Sequence, residues 1–201
     1  QAIEAKIKFS FVAMDGFYGK QPWLLTRIEK KGVTYVADIG CKDRVIIEKP
    51  EYGLPPKKGI LGSNPSIIKV LNTIPVSVEE IKKTIVRWRT IRIRESTEGF
   101  LEVKFTALRV WRIDKDVHEP IAVWLLIRKD LDDSNVKYSL CNASPIQTWS
   151  KLARMQSERY WIERSVQDAI DLAGMEDYQV RNWDAWHNHL IVPEMHDESF
   201  I

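Results

Sequence analysis

Between residues 5 and 39 the chain reads strand, helix, strand, with joints too short to let those elements lie apart. The run Ala5–Met14 alternates β-formers with polar residues and then becomes continuously apolar, as a strand does on entering a buried sheet, and it ends at Asp15-Gly16. Pro22 opens a stretch with Trp23, Leu24, Leu25 and Ile28 at helical spacing, closed by Lys30, Lys31 and Gly32. Proline at the start, cations in the last turn and glycine after it are the ordinary punctuation of a helix. Val33–Ile39 reads as the next strand. A strand–helix–strand unit of this length predicts two parallel strands and places the chain in the α/β class.

The composition agrees with a packed core. With 201 residues, 44% hydrophobic and eight tryptophans, the chain has too much apolar surface to remain disordered. Its longest apolar stretches, such as Ile121–Ile127, fall far short of the ~20 residues that cross a bilayer, so no membrane partner is expected. Residues 1–8 carry Glu4, Lys6 and Lys8 and do not resemble a signal peptide, which predicts a cytoplasmic protein. Cys41 and Cys141 have no CxxC spacing and predict neither a disulfide framework nor a thiolate metal site.

After Gly40 the pattern changes. Pro50, Gly53, Pro55, Pro56, Gly59, Gly62 and Pro65 punctuate a segment that reads as a long loop. Val86–Arg94, Phe100–Ile113, Ile121–Ile127 and Val136–Leu140 then read as an antiparallel meander. At Ser144 the period becomes helical, with Ser144 as the expected N-cap, Pro145 at the first position and Gln147 completing a capping box. Ile146, Trp149, Leu152, Val166 and Ile170 form one stripe that stops near Gly174. Three segments follow from this reading: 1–40, a β-rich 41–143, and a helical 144–201.

Several residues invite chemistry. Asp15 stands at the C-terminal end of an apolar strand, where open α/β sheets place ligands, although Asp-Gly is also a common turn. Arg159 and Glu163 fall on the apolar helical stripe, and a buried charge there must be paired, protonated or bound to metal. Two carboxylates from a strand end and a later helix suit Mg²⁺ or Mn²⁺, which take hard oxygen ligands. Asp38, the other strand-end acid, reads more simply as a solvated residue.

Between Lys82 and Arg112 the sequence is strongly basic, and Arg87, Arg89, Arg92 and Arg94 project in pairs with Trp88 among them. With Arg109 and Arg112 they make a set that grips phosphates and stacks bases, or else a solvated outer face. His187, His189 and His196 match no closed zinc site, and the phosphate-loop, dinucleotide and serine-hydrolase signatures are missing from the sequence.

Two blocks together resemble the DDE transposases of bacterial insertion sequences, in the branch with a β-rich insertion before the catalytic Glu. One is Val12-Ala-Met-Asp-Gly-Phe-Tyr-Gly19; the other is Arg159-Tyr-Trp-Ile-Glu163, followed by Gln167-Asp-Ala169 and by Gly174–Trp183. The resemblance implies a ribonuclease-H-like core, present here in part and interrupted by the insertion, in the C-terminal part of a transposase. It makes Asp15 the second and Glu163 the third metal ligand, and Arg159 the signature arginine one helical turn earlier. The family's first Asp lies on a strand upstream of Gln1. Gln156 and Ile170 stand where the family has Tyr and Lys.

The implied activity is Mg²⁺-dependent cleavage and strand transfer on double-stranded DNA, both transposon ends and target. A homodimer on the DNA, in the bacterial cytoplasm at the nucleoid, goes with it. The alternative reading is an inactive DNA-binding remnant or repurposed derivative.

Overall fold

The computed structural model describes residues 7–57, 65–96, 99–114, 116–159 and 171. The chain divides into two compact units, Gln1–Ser157 and Glu158–Ile201. Almost all of the described residues belong to the first. Glu163, the stripe positions Val166 and Ile170, and His187, His189 and His196 lie outside the described residues.

The first unit is mixed α/β. It begins with β1 (Val12–Met14), α1 (Gly16–Gly19), α2 (Pro22–Lys30) and β2 (Tyr35–Ile39). The expected parallel pairing is present, with Val12 beside Tyr35 and Met14 beside Ala37. Helix α2 has the predicted bounds: Pro22 sits in its first turn, Arg27 and Lys30 in its last. Gly32 then adopts a φ of 68°, a left-handed conformation that a side chain would disfavour. Strand β1 is shorter than the sequence pattern suggests, because β2 offers it a partner only over Tyr35–Ala37.

The punctuated segment after Gly40 is not all loop. It holds the short strands β3 (Arg44–Val45), β4 (Tyr52–Gly53), β5 (Lys69–Val70) and β6 (Val76–Ser77), followed by helix α3 (Val78–Thr84). Strand β3 pairs with β6 and β4 with β5. Helix α3 opens with a full capping box, the Ser77 hydroxyl accepting from the Glu80 N–H while the Glu80 carboxylate accepts from the Ser77 N–H.

The meander follows as β7 (Arg89–Ser96), β8 (Gly99–Arg112), β9 (Ile121–Lys129) and β10 (Val136–Cys141). Strand β10 pairs antiparallel with β2, so a single six-stranded sheet runs in the order β1-β2-β10-β9-β8-β7. The unbroken apolar run Val123–Ile127 is explained by its place: β9 lies inside the sheet, and all five of these residues are buried.

Two apolar layers flank the sheet. On one side Leu25 of α2 and Val78 and Ile81 of α3 pack with Tyr35, Ile39, Val110, Leu125 and Leu140. On the other, Leu152, Ala153 and Met155 pack with Val36, Ile91, Phe105, Leu126 and Cys141. Those three belong to helix α4 (Trp149–Ser157). Each large side chain so buried contributes roughly 1.5–3 kcal/mol.

Helix α4 starts later than the Ser144 box implies. Ser144–Gln147 instead form a turn closed by the Gln147 N–H on the Ser144 carbonyl, and that carbonyl also accepts from the Trp124 indole. Thr148 is the cap, its hydroxyl accepting from the Lys151 N–H at 3.3 Å. Ile146, placed on the buried stripe by its spacing, is 91% exposed.

Candidate functional site

Register decides what the strand ends bring together. Val12, Met14, Tyr35, Ala37 and Ile39 all belong to, or pack on, the α2-side core, whereas Val36 belongs to the α4-side core. Alternation therefore turns Ala13, Asp15 and Asp38 toward the α4 side. The parallel register ends at Met14 beside Ala37, and one further step sets Asp15 beside Asp38. Strand neighbours are about 4.8 Å apart, so the two acids share the C-terminal end of a parallel pair.

Asp15 also has a structural task. Its Oδ1 accepts from the N–H groups of Phe17 and Tyr18 at 3.0 and 3.2 Å, which caps the single turn α1. The Asp15 carbonyl accepts from the Gly19 N–H at 2.8 Å, which closes the turn. Gly19 closes the turn against β2. A Cβ there would run into the Asp38 carbonyl oxygen and lie 2.9 Å from its carbon, so Gly16-Phe-Tyr-Gly19 fits this site only with glycine at its end.

Asp38 is not a simple solvated residue. Ser139 donates its hydroxyl to Asp38 Oδ1 at 2.6 Å, and Gln156 of α4 donates through Nε2 to Ser139 Oγ at 2.8 Å. Ser139 is fully buried and Gln156 is 6% exposed. Gln156 Oε1 has no hydrogen-bond partner. A chain of polar groups thus runs from the inner face of α4 to the strand-end acids. A polar residue on the stripe Trp149, Leu152, Gln156 is the sequence signal for it, of the same kind as Arg159 and Glu163 three and seven residues later in the sequence.

The expected DNA-contacting residues do not share one surface. Arg89 faces the α4 side, exposed, its guanidinium 5.0 Å from the centre of the Trp149 ring. Arg92 is three positions on, an odd step in a strand, and faces the α2 side, bonded to Glu102 at 2.8 Å with its guanidinium over Phe100. Arg94 follows a register shift in β7, and Arg87 is exposed ahead of that strand. Trp88 packs on the α2-side core, donates its indole N–H to the Ile85 carbonyl and is capped by Lys129, so it offers no open stacking face. Arg109 faces the α4 side over Trp124, with Nη1 buried and without a hydrogen-bond partner. Burial lowers its pKa.

Arg112 leaves this set altogether. Its side chain is 3% exposed on the α2 side. It bonds Glu29 at 2.6 Å through Nη2 and at 3.2 Å through Nε, and its Nη1 lies 3.4 Å from Asp114. Thr26 joins Arg112 to Asp114, and the Tyr35 hydroxyl donates to Glu29 at 2.8 Å. Burial pushes Tyr35 well above the ordinary tyrosine range, with the Glu29 charge adding to the effect. Burial works against ionised Arg112, but the Glu29 carboxylate outweighs it and raises the pKa. Arg112 therefore joins strand β8 to helix α2 from within and cannot reach a duplex.

Arg159 lies in the second unit, with partly exposed surface. Among the described residues no group of three or more His, Cys, Asp or Glu side chains is placed to hold a metal ion. The carboxylates of Asp15 and Asp38, at neighbouring strand ends, are the hard oxygen type that suits Mg²⁺ or Mn²⁺. No described helix is long and apolar enough to cross a membrane. No protein-family model matches the chain, and no curated protein matches it.

Proposed function

We propose that this chain is the C-terminal part of a DDE transposase with a ribonuclease-H-like core, cleaving and joining double-stranded DNA. The observation that supports the reading is the pair of strand-end acids: Asp15 directly follows a strand parallel to β2, whose register ends at Met14 beside Ala37, and Asp38 is the next residue of β2. The sequence block around Asp15 resembles the second-Asp block of that family, and Glu163 and Arg159 enter through the second block.

Asp15 and Glu163 would hold Mg²⁺ or Mn²⁺, which when bound would activate a water or a DNA 3′-hydroxyl for in-line attack on phosphorus. The protein's own part is to fix Asp15. The two N–H bonds from α1 orient its Oδ1, and the contact of Gly19 with Asp38 fixes α1 against β2. Arg159 would orient Glu163 or meet a phosphate. A homodimer at the nucleoid belongs to the same reading.

The full-length protein is to be assayed for Mg²⁺-dependent nicking of supercoiled DNA. Asp15→Ala and Glu163→Ala should each abolish nicking and leave DNA binding nearly intact. Cleavage retained in both variants overturns the assignment.

One observation favours the second reading, an inactive DNA-binding derivative. Gln156 stands where the family has a tyrosine that touches the transposon end, and it is turned inward onto Ser139. That reading predicts DNA binding without nicking in the wild-type protein.

A further inference from the structure

The turn α1 carries two side chains that the fold does not use. Asp15 caps the turn, and Gly19 lies so close to the Asp38 carbonyl that only glycine fits. Between them Phe17 and Tyr18 are 71% and 51% exposed. Their rings meet edge to face, with centroids 5.2 Å apart, and neither ring belongs to an apolar core. The backbone beneath them is fixed, because both of their N–H groups bond Asp15 Oδ1. Two large rings held in water on a fixed turn are a surface for a flat apolar partner.

The charge next to this pair has one sign. From Gly16 to Ala37 the sequence holds four cations, Lys20, Arg27, Lys30 and Lys31, and one acid, Glu29. Glu29 is turned inward onto Arg112 and Tyr35. All four cations are exposed and, among the described residues, none is in an ion pair. Trp23, 55% exposed, stands with Arg27 and Lys30 at spacings of four and three, on the face of α2 turned away from Leu25 and Ile28. Lys20 caps α1, and its ammonium stands over Gly40, just past the end of β2. Exposed rings flanked by unmatched cations are the combination that binds single-stranded nucleic acid, rings to bases and cations to phosphates.

We propose that Phe17 and Tyr18 are the stacking platform for an unpaired DNA base, with Lys20 and Arg27 holding the phosphates beside it. The inference rests on the transposase reading and adds to it that the DNA next to Asp15 is a strand opened from the duplex. A duplex hides its base faces within the stack, so an exposed ring pair meets such a face only on an unpaired strand. The bonds from Phe17 and Tyr18 to Asp15 make the platform and the carboxylate one piece, and a base held on the rings brings its own phosphates to the strand end. The block Gly16-Phe-Tyr-Gly19 is then accounted for throughout: close approach to β2 requires the glycine at its end, and the strand requires the rings between.

The test compares full-length variants in fluorescence anisotropy titrations with two fluorescein-labelled probes of equal length, a single-stranded oligothymidylate and a duplex, at several KCl concentrations. Phe17→Leu/Tyr18→Leu keeps apolar bulk and removes the ring faces. It should weaken single-strand binding at least about tenfold, leave duplex binding within twofold and leave the slope of log K against log salt unchanged. Phe17→Tyr/Tyr18→Phe keeps both rings and should keep wild-type affinity. Lys20→Gln/Arg27→Gln should lower the single-strand slope by about 1.4. Phe100→Ala removes an exposed ring from β8 and should change nothing. Unchanged single-strand binding in the leucine pair, or an equal loss in Phe100→Ala, overturns the platform. A wild-type dimer that the leucine pair dissolves, with single-strand affinity unchanged, overturns it in favour of a second copy of the chain. In each of these cases nicking that Asp15→Ala abolishes leaves the transposase reading standing. A wild type that binds neither probe overturns both. Unchanged circular dichroism spectra certify the fold of each variant.

Discussion

The two faces of the sheet use charge in opposite ways. On the α2 side, a fully buried arginine is enclosed by two carboxylates, a threonine and a proline carbonyl, and the result is a joint between β8 and α2. On the α4 side, the polar chain from Gln156 through Ser139 ends on an acid at a strand terminus. One arrangement is a sealed ion cluster; the other carries a relay of neutral groups to a strand-end acid. Burial of charge is therefore no sign of a site by itself, and what separates the two is whether the network ends inside or at a strand end.

The largest expected effect lies in the closed network. Arg112→Ala strands Glu29 and Asp114 without their cation and should cost about 3–5 kcal/mol in urea unfolding. Arg92→Ala breaks an exposed pair and should cost about 0–1 kcal/mol. Similar costs for the two would erase the distinction between a sealed and a solvated charge. Acid should act on the same joint. Burial raises the pKa of Asp114, but the bonds from Thr26, the Asp116 N–H and Arg112 outweigh it and hold the carboxyl below its ordinary value. A group lowered in the folded state stabilises above its unfolded pKa and loses that contribution as pH falls toward the folded one. The urea midpoint of the wild type should therefore fall between about pH 5 and pH 3 more steeply than that of Asp114→Asn.

Gly19→Ala ranks next. The added methyl meets backbone rather than a movable side chain, so about 1–3 kcal/mol is expected, with α1 displaced from β2. Ser139→Ala should cost a similar 1–3 kcal/mol, because it removes the hydroxyl that joins Gln156 to Asp38 and leaves a buried amide unbonded. Gln156→Met should change stability by less than about 1 kcal/mol, since it also removes the unbonded Oε1. A large loss from Gln156→Met together with none from Ser139→Ala would show that the relay does not exist.

Elements with local causes were legible in the sequence. Helix α2, the parallel pair and the meander follow from apolar periodicity and from punctuation by Pro22 and Gly32. Helix α3 was legible too, in Ser77 and Glu80, but the prolines and glycines around it drew the segment toward loop. Helix α4 was misplaced because Ser144, Pro145 and Gln147 imitate a helix start, while the indole of Trp124, distant in sequence, takes the Ser144 carbonyl and favours a turn. At the site, Asp15 could be singled out from its strand. Its neighbour Asp38 could not, because Ser139 and Gln156 reach it from about a hundred residues away. Arg92 and Arg112 look alike in sequence, and only pairing registers show that one is wet and the other sealed.

The smallest expected effect tests whether the α4 side is closed by its helix. Cys41 is exposed, whereas Cys141 is buried in the α4-side core. Burial pushes the Cys141 thiol up to about 11, against partial relief from the Ala143 N–H and the charge of Arg109. At pH 8 only about a thousandth of such a thiol is thiolate, the reactive form, even before access is considered. Iodoacetamide on the native protein should add a single carbamidomethyl group, on Cys41, by peptide mass spectrometry. Ser139→Ala should raise labelling at Cys141 if the relay helps to hold α4 on the sheet, and it should leave labelling at Cys41 unchanged. Equal labelling of both cysteines in the wild type would mean that α4 opens readily, and the Gln156 relay would then be too transient to orient Asp38.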